Sequence, residues 1–238
     1  MLVAAAVCPC PPLLVPEVAA GAAPELDAAR DACLDALGVL AAARPDLLVV
    51  VGPGDEGEAG FYPAGARGSF RGVGVGLDVA LGDGRDGAPG GRPLPQSLAV
   101  GAWLLGRTRW TGAPVEGLVV DTRSGARQCA AAGADLARRA ERVALLVVGD
   151  GSACRTLKAP GYLDERAAAF DHGATEALGS ADLDALAALD PGLARELKAA
   201  GRAPWQLLGG AARSAGLAGR LLYEDAPYGV GYTVAAWS

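Results

Sequence analysis

Three short runs set the limits on what this chain can fold into. Residues 46–52 read DLLVVVG, residues 115–121 read VEGLVVD and residues 143–150 read VALLVVGD. Each is apolar without alternation and rich in β-branched side chains, the pattern of a strand covered on both faces. Such strands belong in a sheet held between helical layers. Residues 1–7 read as a fourth, shorter one, closed by the prolines at 9, 11, 12 and 16.

The intervening segments supply helices. Residues 124–142, SGARQCAAAGADLARRAER, suit a helix between the second and third runs, with Cys129 within it. Strand, helix and strand in that order imply a parallel crossover. Leu26, Ala29, Cys33, Leu37 and Leu40 fall at spacings of three and four. They mark an amphipathic helix that opens near Pro24 and stops before Pro45, with Cys33 on its apolar stripe. Further helices are expected over about 163–179, 181–189, 191–200 and 204–215, and RLLYEDAPYGVGYTVAAW closes the chain as two strand-like runs around a turn. Residues 82–95, GDGRDGAPGGRPLP, read as a flexible surface loop. No repeat or linker divides the 238 residues. The expectation is one α/β domain with a mostly parallel or mixed central sheet flanked by helices.

Composition removes several classes of function. Apolar residues make up 51% and charged residues 20%, ordinary for a globular chain and too apolar for a disordered one. The net charge is −6 with no run of five like charges, so the basic stripe that nucleic acid requires is missing. No apolar run reaches the roughly 20 residues of a membrane span, and the start lacks the basic leader of a secretory signal. Five cysteines, an odd number with no CxxC pair, point to reduced thiols and a cytoplasmic location.

GPGDEG gives Gly52, Gly54 and Gly57 the GxGxxG spacing directly after a strand. A dinucleotide site also needs a helix to open there, and EAGFYPAGARG, with Pro63 and its glycines, cannot supply one. No P-loop and no GxSxG occurs. The single histidine, His172, lies opposite the apolar stripe of its helix, beside Glu165 and Glu176, and reads as a surface residue. Cys8-Pro9-Cys10 admits three readings. A metal site would need two more ligands, from Cys154 and His172. A nucleophilic Cys10 would need a neighbouring base or a lowered pKa. The third reading is packed thiols lining a stiff loop. Asp150 and Asp55 each follow a buried strand, where open α/β sheets hold ligand-binding residues. Either can equally cap a helix or brace a turn.

Four segments, in order and over nearly the whole chain, resemble the class III extradiol ring-cleavage dioxygenases (the LigB-type catalytic subunit) and the related Memo proteins. PCPPLLVPEV is similar to PHPPLLVPEV, and LLVVVGPGDEG to VVVVSPHG. VVGDGSACR with APGYLDERAAAFD resembles ASGDLSHR with APYGYDPRGAEFD, and AAGRAPWQLLGGAA resembles TCGYGPIAALLAAA. The resemblance implies a LigB-like fold, a ferrous iron held by two histidines and a carboxylate, and a homodimer by analogy.

The departures fall on the working positions. The first iron-binding histidine corresponds to Cys10, the second to Gly54, and the third ligand to a position near Ala200. The acid/base histidine corresponds to Ala153, with Gly149, Asp150 and Ser152 retained around it. One histidine cannot build a two-histidine iron site within one subunit. The expectation is a cofactor-free member of the superfamily whose cleft binds a small molecule or a protein. Cys8, Gly54, Asp55, Ser152, Ala153 and Ala200 would line that cleft, made roomier and less polar by the glycine and alanines. The alternative is an enzyme with a replaced site, using Cys10 with Asp55, Asp150 or Cys154. A genuine dioxygenase with atypical iron ligation is the third possibility.

Overall fold

The computed structural model describes residues 1–82 and 91–238. Most of the loop expected at 82–95 lies outside the described residues. Its end returns to the core, where Leu94 is buried.

The uninterrupted apolar runs form the centre of the sheet. β1 (Leu2–Cys8), β2 (Leu47–Gly54), β6 (Val115–Asp121) and β7 (Val143–Val148) are parallel and stand in the order β6-β2-β7-β1. Antiparallel strands finish both sides. β3 (Gly60–Tyr62) pairs with β6, while β9 (Tyr232–Trp237) pairs with β1 and then with β8 (Gly219–Asp225). The sheet is therefore a seven-stranded mixed one in a single α/β domain. A separate ribbon joins β4 (Arg67–Ser69) to β5 (Asp78–Ala80).

After a helical turn, α1 (Pro16–Ala19), the stripe at 26–40 becomes α2 (Asp27–Ala42). Pro24 lies in a 3₁₀ segment before this helix rather than in its first turn. α2 covers one face of the sheet with α3 (Gln96–Thr108). α4 (Ala126–Leu136), α5 (Ala167–Ser180), α6 (Leu183–Ala188) and α8 (Arg202–Ala212) cover the other, and α7 (Pro191–Glu196) joins α6 to α8. The expected helix at 124–142 ends at Leu136 because the chain must turn back into β7. There Arg142 is fastened to the carbonyls of Ala43 and Arg44. The sequence pattern does not announce α3. Its residues Leu98 to Leu105 are all buried, so it shows no polar face from which a helical period could be read.

α4 and α8 approach backbone to backbone. A Cβ on Gly133 would collide with the Leu207 carbonyl, and one on Gly210 with that of Ala130. Gly133→Ala is expected to cost about 3 kcal/mol in urea unfolding, since backbone cannot yield as a side chain does. Gly38, inside α2, faces open space, with no atom within 4 Å of where a Cβ would stand. Gly38→Ala is expected to gain about 0.5–1 kcal/mol.

Candidate functional site

The parallel register aligns the motifs. Cys8 pairs with Val148 across β1 and β7, and Val51 pairs with Val147 across β2 and β7. Carried a few residues on, the same register sets Cys10, Asp150 and Gly54 in one row at the C-terminal edge of the sheet. Gly54 in turn pairs with Asp121 of β6. The Cys10 backbone N–H donates to Asp150 Oδ1 at 2.8 Å, which ties the ends of β1 and β7 together. β1 leads into helices on one face, β6 and β7 into helices on the other. The connections after the neighbouring strands β1 and β7 therefore leave to opposite faces at this edge, the arrangement that places ligand sites in α/β sheets.

The third and fourth motif segments close on the same point. Gly201 N–H donates to the Asp150 carbonyl at 2.8 Å, and Ala153 N–H to the Leu197 carbonyl at 2.9 Å. Gly149 permits the approach, because a Cβ there would stand 2.5 Å from Gly201 Cα. Ala153 and Ala200 thus join the row around the end of β7. The remaining candidates have other places. Asp55 is exposed and braces a turn, accepting the Glu58 N–H at 3.2 Å. The GPGDEG segment runs through that turn into β3, not into a helix. Cys8 is fully buried inside β1, with its thiol against Cys33. Ser152 is fully buried and faces inward rather than lining a cleft: its N–H and hydroxyl both donate to Asp171, at 2.6 and 2.7 Å. His172 is exposed on α5.

The pocket is not roomier at Gly54. A Cβ there would meet Val119 Cγ1 at 2.5 Å and Glu58 Oε2 at 2.8 Å, so neighbouring side chains already fill the space.

Burial governs the charges in the row. It pushes the Asp150 carboxyl up to about 7, against the opposing pull of the Cys10 N–H. It also pushes the Cys10 thiol well up, and the nearby Asp150 adds to the rise. Tyr232 is raised by burial first, then by Asp150 and Cys10. Near neutrality the Cys10 thiol and the Tyr232 phenol keep their protons, while Asp150 is about half ionised. A ferrous site of the kind the resemblance implies needs two imidazoles and an ionised carboxylate. Here the corresponding places hold a protonated thiol, a glycine and an alanine. Among the described residues no group of three His, Cys, Asp or Glu side chains could hold a metal. The residues do not fit the iron.

All five cysteines are buried. The native protein is expected to react with a thiol reagent at pH 7 far more slowly than a free thiol, and all five are expected to react at once in denaturant.

No protein-family profile and no curated protein matches the chain. Among solved structures, the uncharacterized protein JW3007 from Escherichia coli K12 shares the fold. It superposes with a TM-score of 0.54 over 99% of both chains, at 14% identity. Among the described residues no helix is long and apolar enough to cross a membrane.

Two further residues matter at the site, and each leaves little trace in the sequence. Asp171 is buried and accepts from Ser152 and from Arg155 Nη1 at 3.1 Å. Its only signal is a lone carboxylate at four and three residues from Ala167 and Ala174 on the apolar stripe. Arg202, at the start of α8, is 2% exposed. A single cation in AAGRAPWQLLGG is its only trace.

Proposed function

We propose that this chain is a metal-free relative of the extradiol ring-cleavage dioxygenases, with the crevice at its strand ends kept as a binding site. The observation that supports this reading is the row itself. Cys10, Gly54, Ala153 and Ala200, the positions assigned to the metal and its acid/base partner, converge around Asp150 without one imidazole among them. A small molecule or a protein partner would enter where the connections after β1 and β7 leave to opposite faces of the sheet. A homodimer accompanies the same resemblance, and a cytoplasmic setting goes with the free thiols. Metal analysis of the purified protein tests the reading. No stoichiometric metal is expected, and iron or zinc at one per chain after dialysis would overturn it.

One observation favours a second reading, an enzyme with a replaced site. Asp150, poised at about 7, suits proton transfer at neutral pH. Cys10 does not suit nucleophilic attack, because its thiol is shifted away from the thiolate. Such an enzyme would use Asp150 as an acid or base and leave Cys10 as wall.

A further inference from the structure

Beside the row, on the α8 side, lies a cleft of about 290 Å³ whose lining includes Thr122, Arg195, Lys198, Ala199, Ala200 and Arg202. It is continuous with the row at two points. Thr122 N–H donates to the Gly54 carbonyl at 3.1 Å, and Gly201, between Ala200 and Arg202, is bonded to Asp150.

The charges around it do not balance. Arg123, at one wall, is matched by Asp121 at 3.1 Å and Glu56 at 2.8 Å. Among the described residues no carboxylate lies within ion-pair distance of Arg195, Lys198 or Arg202. Lys198 Nζ reaches only the Pro160 carbonyl, at 3.3 Å. Arg202 is the unusual member. Its guanidinium is buried and fixed by neutral acceptors: Gln206 Oε1 at 3.0 Å, the Ser124 carbonyl at 2.5 Å and the Thr122 carbonyl. Its Nε has no partner. Asp121 and Asp190 act on it only from beyond ion-pair distance, and a buried cation without a counter-charge in contact is costly. A protein of net charge −6 has nonetheless gathered three unmatched cations at one cleft. The N-terminal end of α8 adds its partial positive charge.

We propose that this cleft binds the oxyanion head of a small organic acid, with Arg202 fixed at its base and Lys198 and Arg195 at its rim. The inference rests on the crevice being a ligand site, and it names the charge of the ligand. A guanidinium fork matches carboxylate and phosphate alike, while Pro191, Ala194, Ala199 and Ala200 offer the body of the ligand an apolar wall.

Titration calorimetry with benzoate, phenyl phosphate and uncharged benzamide tests it. Benzoate or phenyl phosphate is expected to bind about tenfold or more tightly than benzamide, and to weaken as salt is added. Binding of one anion alone supports the inference and tells carboxylate from phosphate. The double variant Arg195→Glu/Lys198→Glu, at exposed positions, is expected to weaken the anions about tenfold or more and to leave benzamide unchanged. Arg202→Gln is expected to weaken them further; where it fails to fold, the surface variant decides. Anions that bind no tighter than benzamide, or as tightly to the double variant, overturn the inference. Benzamide binding in that case still upholds the crevice as a ligand site, so the two readings fail separately.

Discussion

Asp171→Ala is expected to destabilise the protein by about 3–5 kcal/mol, the range for removing one partner of a buried charged network. The carboxylate accepts from the Ser152 N–H, the Ser152 hydroxyl and Arg155, at 2.6, 2.7 and 3.1 Å. Gly151 and Gly231 press against it so closely that a Cβ on either would stand 2.7 or 2.5 Å from its oxygens. Without it two buried Ser152 donors lose their acceptor, and an unmatched buried donor costs roughly 1–3 kcal/mol. Asp171→Asn keeps the shape and gives up the charge, so a smaller loss of about 1–2 kcal/mol is expected. Urea unfolding followed by circular dichroism measures both. An Asp171→Ala midpoint equal to wild type would show that the network does not hold the loop after β7.

Asp150→Asn is expected to make the folded state more stable at pH 8, by an amount that vanishes toward pH 4. The carboxyl has an ordinary value of 3.8 and is pushed up to about 7 by burial. Below pH 4 it is protonated in both the folded and unfolded chain, and its titration contributes nothing. Between about 4 and 7 the unfolded chain has released the proton that the folded chain keeps, so stability falls with rising pH. Above 7 both have released it and the loss is complete, about 4 kcal/mol at full desolvation. Asparagine can still accept the Cys10 N–H through its Oδ1 and does not ionise. The difference in unfolding free energy between variant and wild type, taken at pH 4.5 and pH 8, isolates this group from every other. A difference that does not change with pH would mean that Asp150 is solvated like an ordinary surface acid.

The sheet was legible in the chain because its four central strands, apart from Glu116 and the terminal Asp121, are apolar without alternation, which few structures other than a two-side-covered strand can accommodate. α3 was not, because a helix buried on all sides has no period to detect. The row that makes up the candidate site was legible from Cys10 and Asp150 at strand ends. Its interior was not, since what occupies the space beside Gly54 is decided by Val119 on β6 and Glu58 in a turn. Ser152 fits the quoted motif yet faces Asp171 rather than the crevice. A motif letter fixes a residue's place along the chain, and the fold chooses which way it turns. Arg202 stayed hidden for a related reason, as nothing local marks a cation that tertiary packing will bury.

The crowding at Gly54 also sets a condition on building a metal site at the strand ends. An imidazole at that position requires room that Val119 Cγ1 and Glu58 now take, so Gly54→His alone would displace strand β6 before it offered a ligand. Installing one would need a smaller residue at 119 in the same step, since each change made alone carries a penalty, a clash in one order and a void in the other.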